Sequence, residues 1–307
     1  MKISPEELIM RKNATLTDKI DMSTERIEQW YDHWKGLIYI AYSGGKDSSV
    51  LLHLVRSVFP EIPAVYNDTG LEYPEVKEHV KLTPNLVITK PVLTYRQVIE
   101  KYGFAVVSKE QSQFIYEYKN THSEKLRDIR LNGNKSGLGK LAKKWKFLLE
   151  APFKISHKCC EVLKKNPAKV YERKSGRKVL LGSTIEESIM RQQQYIMNGC
   201  NAYKFKRPTS IPLAFWNKQN ILQYLIDKNI SLPSVYGSIE KNDKDEWYTT
   251  GVDRTGCVWC LFGIDREEKD GLNRMQRLKM THPKIWNYCI NNLGLGDVLD
   301  FIDVDYE

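Results

Sequence analysis

The chain lacks any long hydrophobic run. No apolar stretch in its 307 residues approaches the roughly 20 residues that a membrane-spanning helix needs, so no membrane partner is expected. The N-terminal run Met1-Lys2-Ile3-Ser4-Pro5-Glu6-Glu7 lacks the apolar core of a secretory signal, and a cytoplasmic location is the expectation. Cysteine is scarce. Six residues over this length do not make a disulfide scaffold, and in a reducing compartment clustered cysteines point to metal or catalysis. No internal repeat or low-complexity tract is present. A Walker A loop is also absent, because the glycine it needs five residues before Gly45-Lys46 is replaced by Ile40. With 41% hydrophobic and 28% charged residues, the chain is of ordinary globular composition.

What is present centres on Tyr42-Ser43-Gly44-Gly45-Lys46-Asp47-Ser48-Ser49. Leu37–Ala41 before it is apolar and β-prone, and Val50–Val55 after it continues at helical spacing, with Ser48 as the expected N-cap. A strand, a glycine turn and a helix present free amides and a positive helix end to a phosphate. Gly44 and Gly45 permit close backbone approach, and Lys46 adds a point charge.

Further strands are expected at Ala64–Asn67, Leu86–Thr89, Lys178–Gly182 and Ser210–Leu213, and helices at Pro5 onward, Ser23–Trp34, Pro74 onward, Thr94–Tyr102 and Asn217–Lys228. This alternation implies an α/β fold, a parallel sheet flanked by helices with ligands beyond the C-terminal strand ends. The glycine loop, Asp68 and Lys90 are all expected at those ends. Three regions are anticipated: an N-terminal helical segment 1–36, an α/β domain 37–235, and a segment 236–307, helical near Lys269–Lys279 and Pro283–Asn291. An insertion at about 108–177 interrupts the domain. Within it the period is lost from about Ser108 to Ser156, and Asn132–Lys140 reads as a flexible loop.

The net charge of +9 is concentrated. Residues 125–178 hold 17 Lys and Arg against 4 Asp and Glu, which carries more than the whole excess. A nucleic acid is the partner this suggests, and a solvated surface that guides a nucleotide is the plainer explanation. Lys143-Lys144-Trp145-Lys146-Phe147 mixes cations with aromatics, which suits phosphate contact plus base stacking and suits an amphipathic surface helix equally well. Cys159-Cys160 and the CxxC turn Cys257–Cys260 together offer four thiolates, for a [4Fe-4S] cluster or a tetrahedral Zn²⁺. Cys200 and Cys289 read as small buried hydrophobes.

Over roughly Leu37 to Cys260 these pieces resemble the phosphoadenosine phosphosulfate (PAPS) reductase family of PP-loop, adenine nucleotide α-hydrolase-like proteins. Matching pieces are Ser43–Ser48, Asp68-Thr69-Gly70, Gly182 with Glu187-Ser188 and Arg191, Pro212 to Trp216, and Thr255-Gly256-Cys257 with Cys260. The family's CC-x-x-x-K-x-x-P run matches Cys159-Cys160 through Lys164 to Pro167. The resemblance implies a Rossmann-like, HUP-type sheet, and a [4Fe-4S] cluster on Cys159, Cys160, Cys257 and Cys260. Two departures bear on activity. Reductases of the family carry a nucleophilic cysteine in a Glu-Cys-Gly tail, which Phe301–Glu307 does not supply, and they generally lack the Lys46-Asp47 pair. Thr184 stands where many members have arginine. In motif pattern the chain is similar to the Dnd-type ATP pyrophosphatases of DNA phosphorothioation.

That resemblance implies ATP cleavage to AMP and pyrophosphate, which activates a nucleic acid for sulfur transfer from a donor protein. Ser43, Gly44, Gly45, Lys46, Ser48, Gly70 and Gly182 would hold the nucleotide, with adenine near Tyr66 and Asn67. Asp47 and Asp68 would hold Mg²⁺, while Lys90 or Arg191 would stabilise charge on the α-phosphate. Lys164 would link cluster and substrate. A sulfonucleotide reductase that releases sulfite, and a non-catalytic nucleotide- or nucleic-acid-binding module, are the alternatives.

Overall fold

Short apolar runs bounded by polar turns fold as the strands of one sheet in the computed structural model, which describes residues 3–267 and 271–307. The strands are β1 (Ile38–Ala41), β2 (Ala64–Asn67), β3 (Leu86–Thr89), β4 (Lys178–Leu181), β5 (Asn201–Ala202) and β6 (Thr209–Ser210), in the order β3-β2-β1-β4-β6-β5. All neighbours pair parallel except β5 with β6, so the sheet is mixed and mostly parallel. Helices flank it, as the α/β reading expects. The chain runs outward from β1 through β2 to β3, then returns to place β4 on the other side of β1. That reversal puts the switch point of the sheet between β1 and β4, the place where ligands of such sheets bind at the C-terminal strand ends. The registers Ala41↔Leu181, Ala41↔Val65 and Asn67↔Thr89 bring Ser43, Asp68, Lys90 and Gly182 to one sheet edge.

This sheet belongs to a unit gathering Met1–Asp68, Glu72–Lys90 and Pro167–Thr255. One face is covered by the amphipathic helices Leu16–His33, Lys46–Val58 and Lys218–Asp227, which bury Ile27, Trp30, Val50, Leu54, Leu222 and Leu225. The buried Trp216 indole donates to Ser23 Oγ at 2.9 Å, and Ser23 donates to the Pro212 carbonyl at 3.0 Å, so both polar groups are satisfied inside the core. On the other face Tyr39 donates to Glu172 at 2.7 Å, and Arg207 forks onto the same carboxylate. The helix expected from Ser23 starts earlier, at Leu16, because Thr15 and Asp18 form a capping box. The hairpin Ile239–Lys241 with Trp247–Thr249 also lies in this unit, joined to the helix Lys218–Asp227 through Gln219 and Trp247.

A second unit gathers Thr69–Leu71, Pro91–Asn166 and Gly256–Glu307. Val106–Val107 pairs parallel with Leu261–Phe262. The stretch expected to lack period holds the helices Lys109–Asn120 and Glu124–Asn132 and a 3₁₀ run, Lys143–Glu150. Local caps start the two helices: Ser108 accepts from the Gln111 amide and Ser123 from the Leu126 amide. The second buries nothing, so it has no apolar stripe for a sequence to display. The loop from Asn132 to Lys140 is a hydrogen-bonded turn, in which Asn134 accepts from the Ser136 and Leu138 amides and Arg130 donates to the Gly139 carbonyl. C-terminal helices run over Arg274–Thr281, Pro283–Asn287 and Leu295–Phe301. The expected onset at Lys269 lies outside the described residues. Among the described residues no helix is long and apolar enough to cross a membrane.

Candidate nucleotide loop and cysteine pocket

The loop after β1 is shaped by its two glycines. Gly44 has φ +70°, and a Cβ there would stand 2.7 Å from Val80 and 3.0 Å from Val76. Gly45, not Ser48, caps the following 13-residue helix, which begins at Lys46. Ser48 is drawn inward instead. Its hydroxyl accepts from the Ser43 amide at 3.2 Å and donates to the Gly45 carbonyl at 2.9 Å, cross-bracing the turn. Beyond β4, Gly182 packs directly on this helix start, where a Cβ would meet the Asp47 carbonyl oxygen at 2.7 Å and Ser48 Cα at 3.0 Å.

Lys46 is 7% exposed. Its Nζ donates to Asp253 Oδ1 at 3.1 Å, and Lys218 reaches the same oxygen at 2.6 Å. Burial lowers the Lys46 pKa, and Asp253 works against that loss of charge. Burial also pulls Asp253 upward, but hydrogen bonds and charge from Lys218 and Lys46 outweigh it and bring the carboxyl to about 2. Tyr236 stands beneath, with Lys46 Nζ 5.5 Å from its ring centre and its hydroxyl 2.8 Å from Thr255 Oγ1. Asp47 is raised, chiefly by burial and further by Glu187. Glu187 also receives Arg254 at 2.9 Å and pairs with Arg191.

The expected residues therefore divide. Ser43, Gly44, Gly45, Lys46, Asp47, Ser48 and Gly182 form one constellation. Arg191 sits one helical turn from Glu187 and is engaged with it. Asp68 lies at the same sheet edge and pairs with Lys77 at 3.1 Å. Lys90 follows β3, at the edge of the sheet. Gly70, with φ +80° and open space around it, belongs to the second unit. Tyr66, near which adenine is expected, is buried and packs with Tyr42, Val76 and Val80. Asp253, Lys218 and Tyr236 were not anticipated. Lys46 and Asp253 are 207 residues apart, and no local pattern joins them.

In the second unit, Cys159, Cys160, Cys257 and Cys260 line one pocket with Leu71, Tyr95 and Lys164 among its other walls. The Cys257–Cys260 turn is closed by a 3.1 Å backbone bond, and Val258 donates to the Leu71 carbonyl. The Cys159 thiol donates to Cys160 and lowers its pKa; burial opposes this, and Lys164, Lys109 and Lys165 reinforce it. Cys260 is raised by burial, with a backbone hydrogen bond from Phe262 and the charge of Arg274 opposing. Four cysteine sulfurs line one mostly apolar pocket together with Lys164, and cysteine is the donor that an iron–sulfur cluster takes, one per iron. Among the described residues no group of three or more His, Cys, Asp or Glu is placed to hold a metal ion. A single tetrahedral Zn²⁺ would need the sulfurs drawn to about 2.3 Å from one centre. Cys200 and Cys289 are buried, as expected, and neither lines this pocket.

On the basic stretch, Trp145 is buried and carries Lys144 over its ring at 4.4 Å, while Phe147 is exposed and touches Phe301. Any stacking platform there rests on Phe147 rather than on both rings.

Fold and loop together define an α/β protein with a phosphate-type glycine turn at the switch point of its sheet. Residues 37–105 match the family model of the phosphoadenosine phosphosulfate reductase domain. An uncharacterized protein of Methanocaldococcus jannaschii is 23% identical over 94% of this chain and 48% of its own length. The adenosine 5'-phosphosulfate reductase of Bacillus velezensis is 28% identical over 92 residues, 28% of this chain and 40% of that one. The chain thus spans about half the length of the curated relatives it matches. Among solved structures, the phosphate complex of phosphoadenylyl-sulfate reductase from Candida auris aligns with TM-score 0.40 and 15% identity, over 78% of this chain and 96% of that one.

Proposed function

We propose that this chain is an ATP pyrophosphatase of the PAPS reductase family. It cleaves ATP to AMP and pyrophosphate and so activates a nucleic acid for sulfur transfer. The observation that carries this reading is Lys46: an ammonium whose charge burial disfavours is held at a glycine turn, at a helix start, at the switch point of the sheet. Ser43, Gly44, Gly45 and Ser48 would hold phosphate oxygens beside it. Mg²⁺ is typically bound through one or two carboxylates plus substrate phosphates, and Asp47 and Asp68 would supply those carboxylates. Arg191 would leave Glu187 to meet the α-phosphate, with Lys90 as the other candidate cation. The basic stretch 125–178 would bind the nucleic acid in a salt-dependent way. The sulfur donor would be a separate protein, and the setting cytoplasmic.

The four cysteines would hold a [4Fe-4S] cluster, which when bound supplies sulfur-transfer or redox chemistry. Protein purified without oxygen is expected to carry about four irons per chain, and Cys260→Ser to carry fewer. Stoichiometric zinc without iron would contradict the cluster.

A sulfonucleotide reductase is the second reading, favoured by the 92-residue similarity to adenosine 5'-phosphosulfate reductase and by the cysteine pocket. Incubation of the iron-loaded protein with ATP and Mg²⁺, or with a sulfonucleotide and a thiol reductant, separates the two. Pyrophosphate from the first tube supports the pyrophosphatase. Sulfite from the second, with ATP intact, replaces it.

A further inference from the structure

Asp253 takes two lysines on one oxygen. Lys46 approaches from the start of the loop helix at 3.1 Å, and Lys218 from the first residue of the helix Lys218–Asp227 at 2.6 Å. Neither geometry is accidental to its own helix. Lys46 follows the Gly45 cap, and Lys218 follows the Asn217 capping box, with its amide donating to Glu186 at 3.2 Å. Two ammonium groups share one carboxylate beside the glycine turn, where Asp47 also acts on Lys46 and Glu186 accepts from the Lys218 amide. Lys218 is 42% exposed, so its head can leave Asp253 without breaking the core, whereas Lys46 is confined. One lysine serves a single phosphate. A second cation, offset from the first across a shared carboxylate, suits a ligand whose negative charge extends beyond the phosphate at the turn.

We propose that Lys218 is a specificity-determining residue for the outer phosphates of a nucleoside triphosphate, and that Asp253 is the positioning residue that sets Lys46 and Lys218 side by side. This rests on the pyrophosphatase reading of the same loop and names its ligand class: a triphosphate in preference to a nucleoside monophosphate or a phosphosulfate.

Titration calorimetry on the full chain tests this with ATP, AMP and adenosine 5'-phosphosulfate as ligands. Lys218→Ala is expected to weaken ATP by about tenfold, the loss of one charge-assisted contact, and to leave AMP within about twofold. Lys218→Arg should restore most of the ATP affinity. Asp253→Asn should weaken ATP more than AMP and steepen the dependence of ATP binding on salt. Equal losses for ATP and AMP in Lys218→Ala would mean a merely structural role and would overturn the proposal, as would unchanged ATP affinity. If the unaltered protein binds the phosphosulfate and not ATP, the pyrophosphatase reading itself fails. If it binds ATP and Lys218→Ala matches it, only the role of Lys218 fails.

Discussion

Gly182→Ala is expected to cripple the nucleotide site from a residue that need touch no nucleotide. Its new methyl would stand 2.7 Å from the Asp47 carbonyl oxygen, 2.9 Å from the Asp47 carbonyl carbon and 3.0 Å from Ser48 Cα. All three are backbone atoms, so no side chain can swing away. Either β4 moves, against its four-residue register with β1, or the first turn of the loop helix moves. The turn is the softer of the two, since hydroxyl contacts at 2.9 to 3.2 Å brace it. Overpacking of this kind costs about 1–3 kcal/mol of stability. A displacement near 1 Å at a reacting site costs about 10²-fold in rate. Denaturant unfolding and pyrophosphate release, measured on the same preparation, should show a modest loss in the first and a loss of about that size in the second. Wild-type turnover in Gly182→Ala would mean that the packing of β4 on the loop helix is irrelevant to activity.

Lys46→Ala should separate chemistry from folding more sharply still. The ammonium is buried and its charge is disfavoured there, so its removal relieves a desolvation cost while losing an ion pair. Asp253 is not orphaned, because Lys218 remains on it. The two effects oppose each other, and stability should change by less than about 1 kcal/mol. Pyrophosphate release should fall by at least about 10²- to 10³-fold, the usual scale for removing one preorganised charge from a transition state. Lys46→Arg keeps the charge but not the compact head, and should recover little at a site this enclosed. The checks are a melting curve and a pyrophosphate assay. Unfolding of Lys46→Ala, or turnover equal to the parent protein, would each break the link between this lysine and phosphate chemistry.

Legibility in the sequence followed distance along the chain. The strand, glycine turn and helix from Leu37 to Val55 are local, and each signal reinforces its neighbours. The α/β class was readable for the same reason, since four of the six strands are short apolar runs with polar boundaries. The cap was misassigned because Ser48 and Gly45 both suit helix starts, and only the cross-brace from Ser43 decides between them. Serine caps start the helices at Lys109–Asn120 and Glu124–Asn132, but the second carries no buried stripe to give it a readable period. Tyr66, near which adenine is expected, packs with Tyr42, Val76 and Val80, a contact made across elements that no local pattern displays. Asp253 and Lys218 could not be read at all. A lone aspartate in Val252-Asp253-Arg254 and a lone lysine after a cap are ordinary until folding brings them to Lys46. The cysteines lay between these cases: the two pairs were visible, but their sharing of one pocket depends on Val106–Val107 pairing with Leu261–Phe262 in the second unit.

The most direct measurement is phosphorus NMR of the iron-loaded protein held without oxygen with ATP and Mg²⁺, with and without DNA. Growth of the pyrophosphate and AMP resonances, lost in Lys46→Ala, is the result predicted. Growth of ADP and inorganic phosphate would place cleavage at the γ-phosphate and contradict adenylyl chemistry. ATP intact in every tube, with DNA present, would contradict the pyrophosphatase itself.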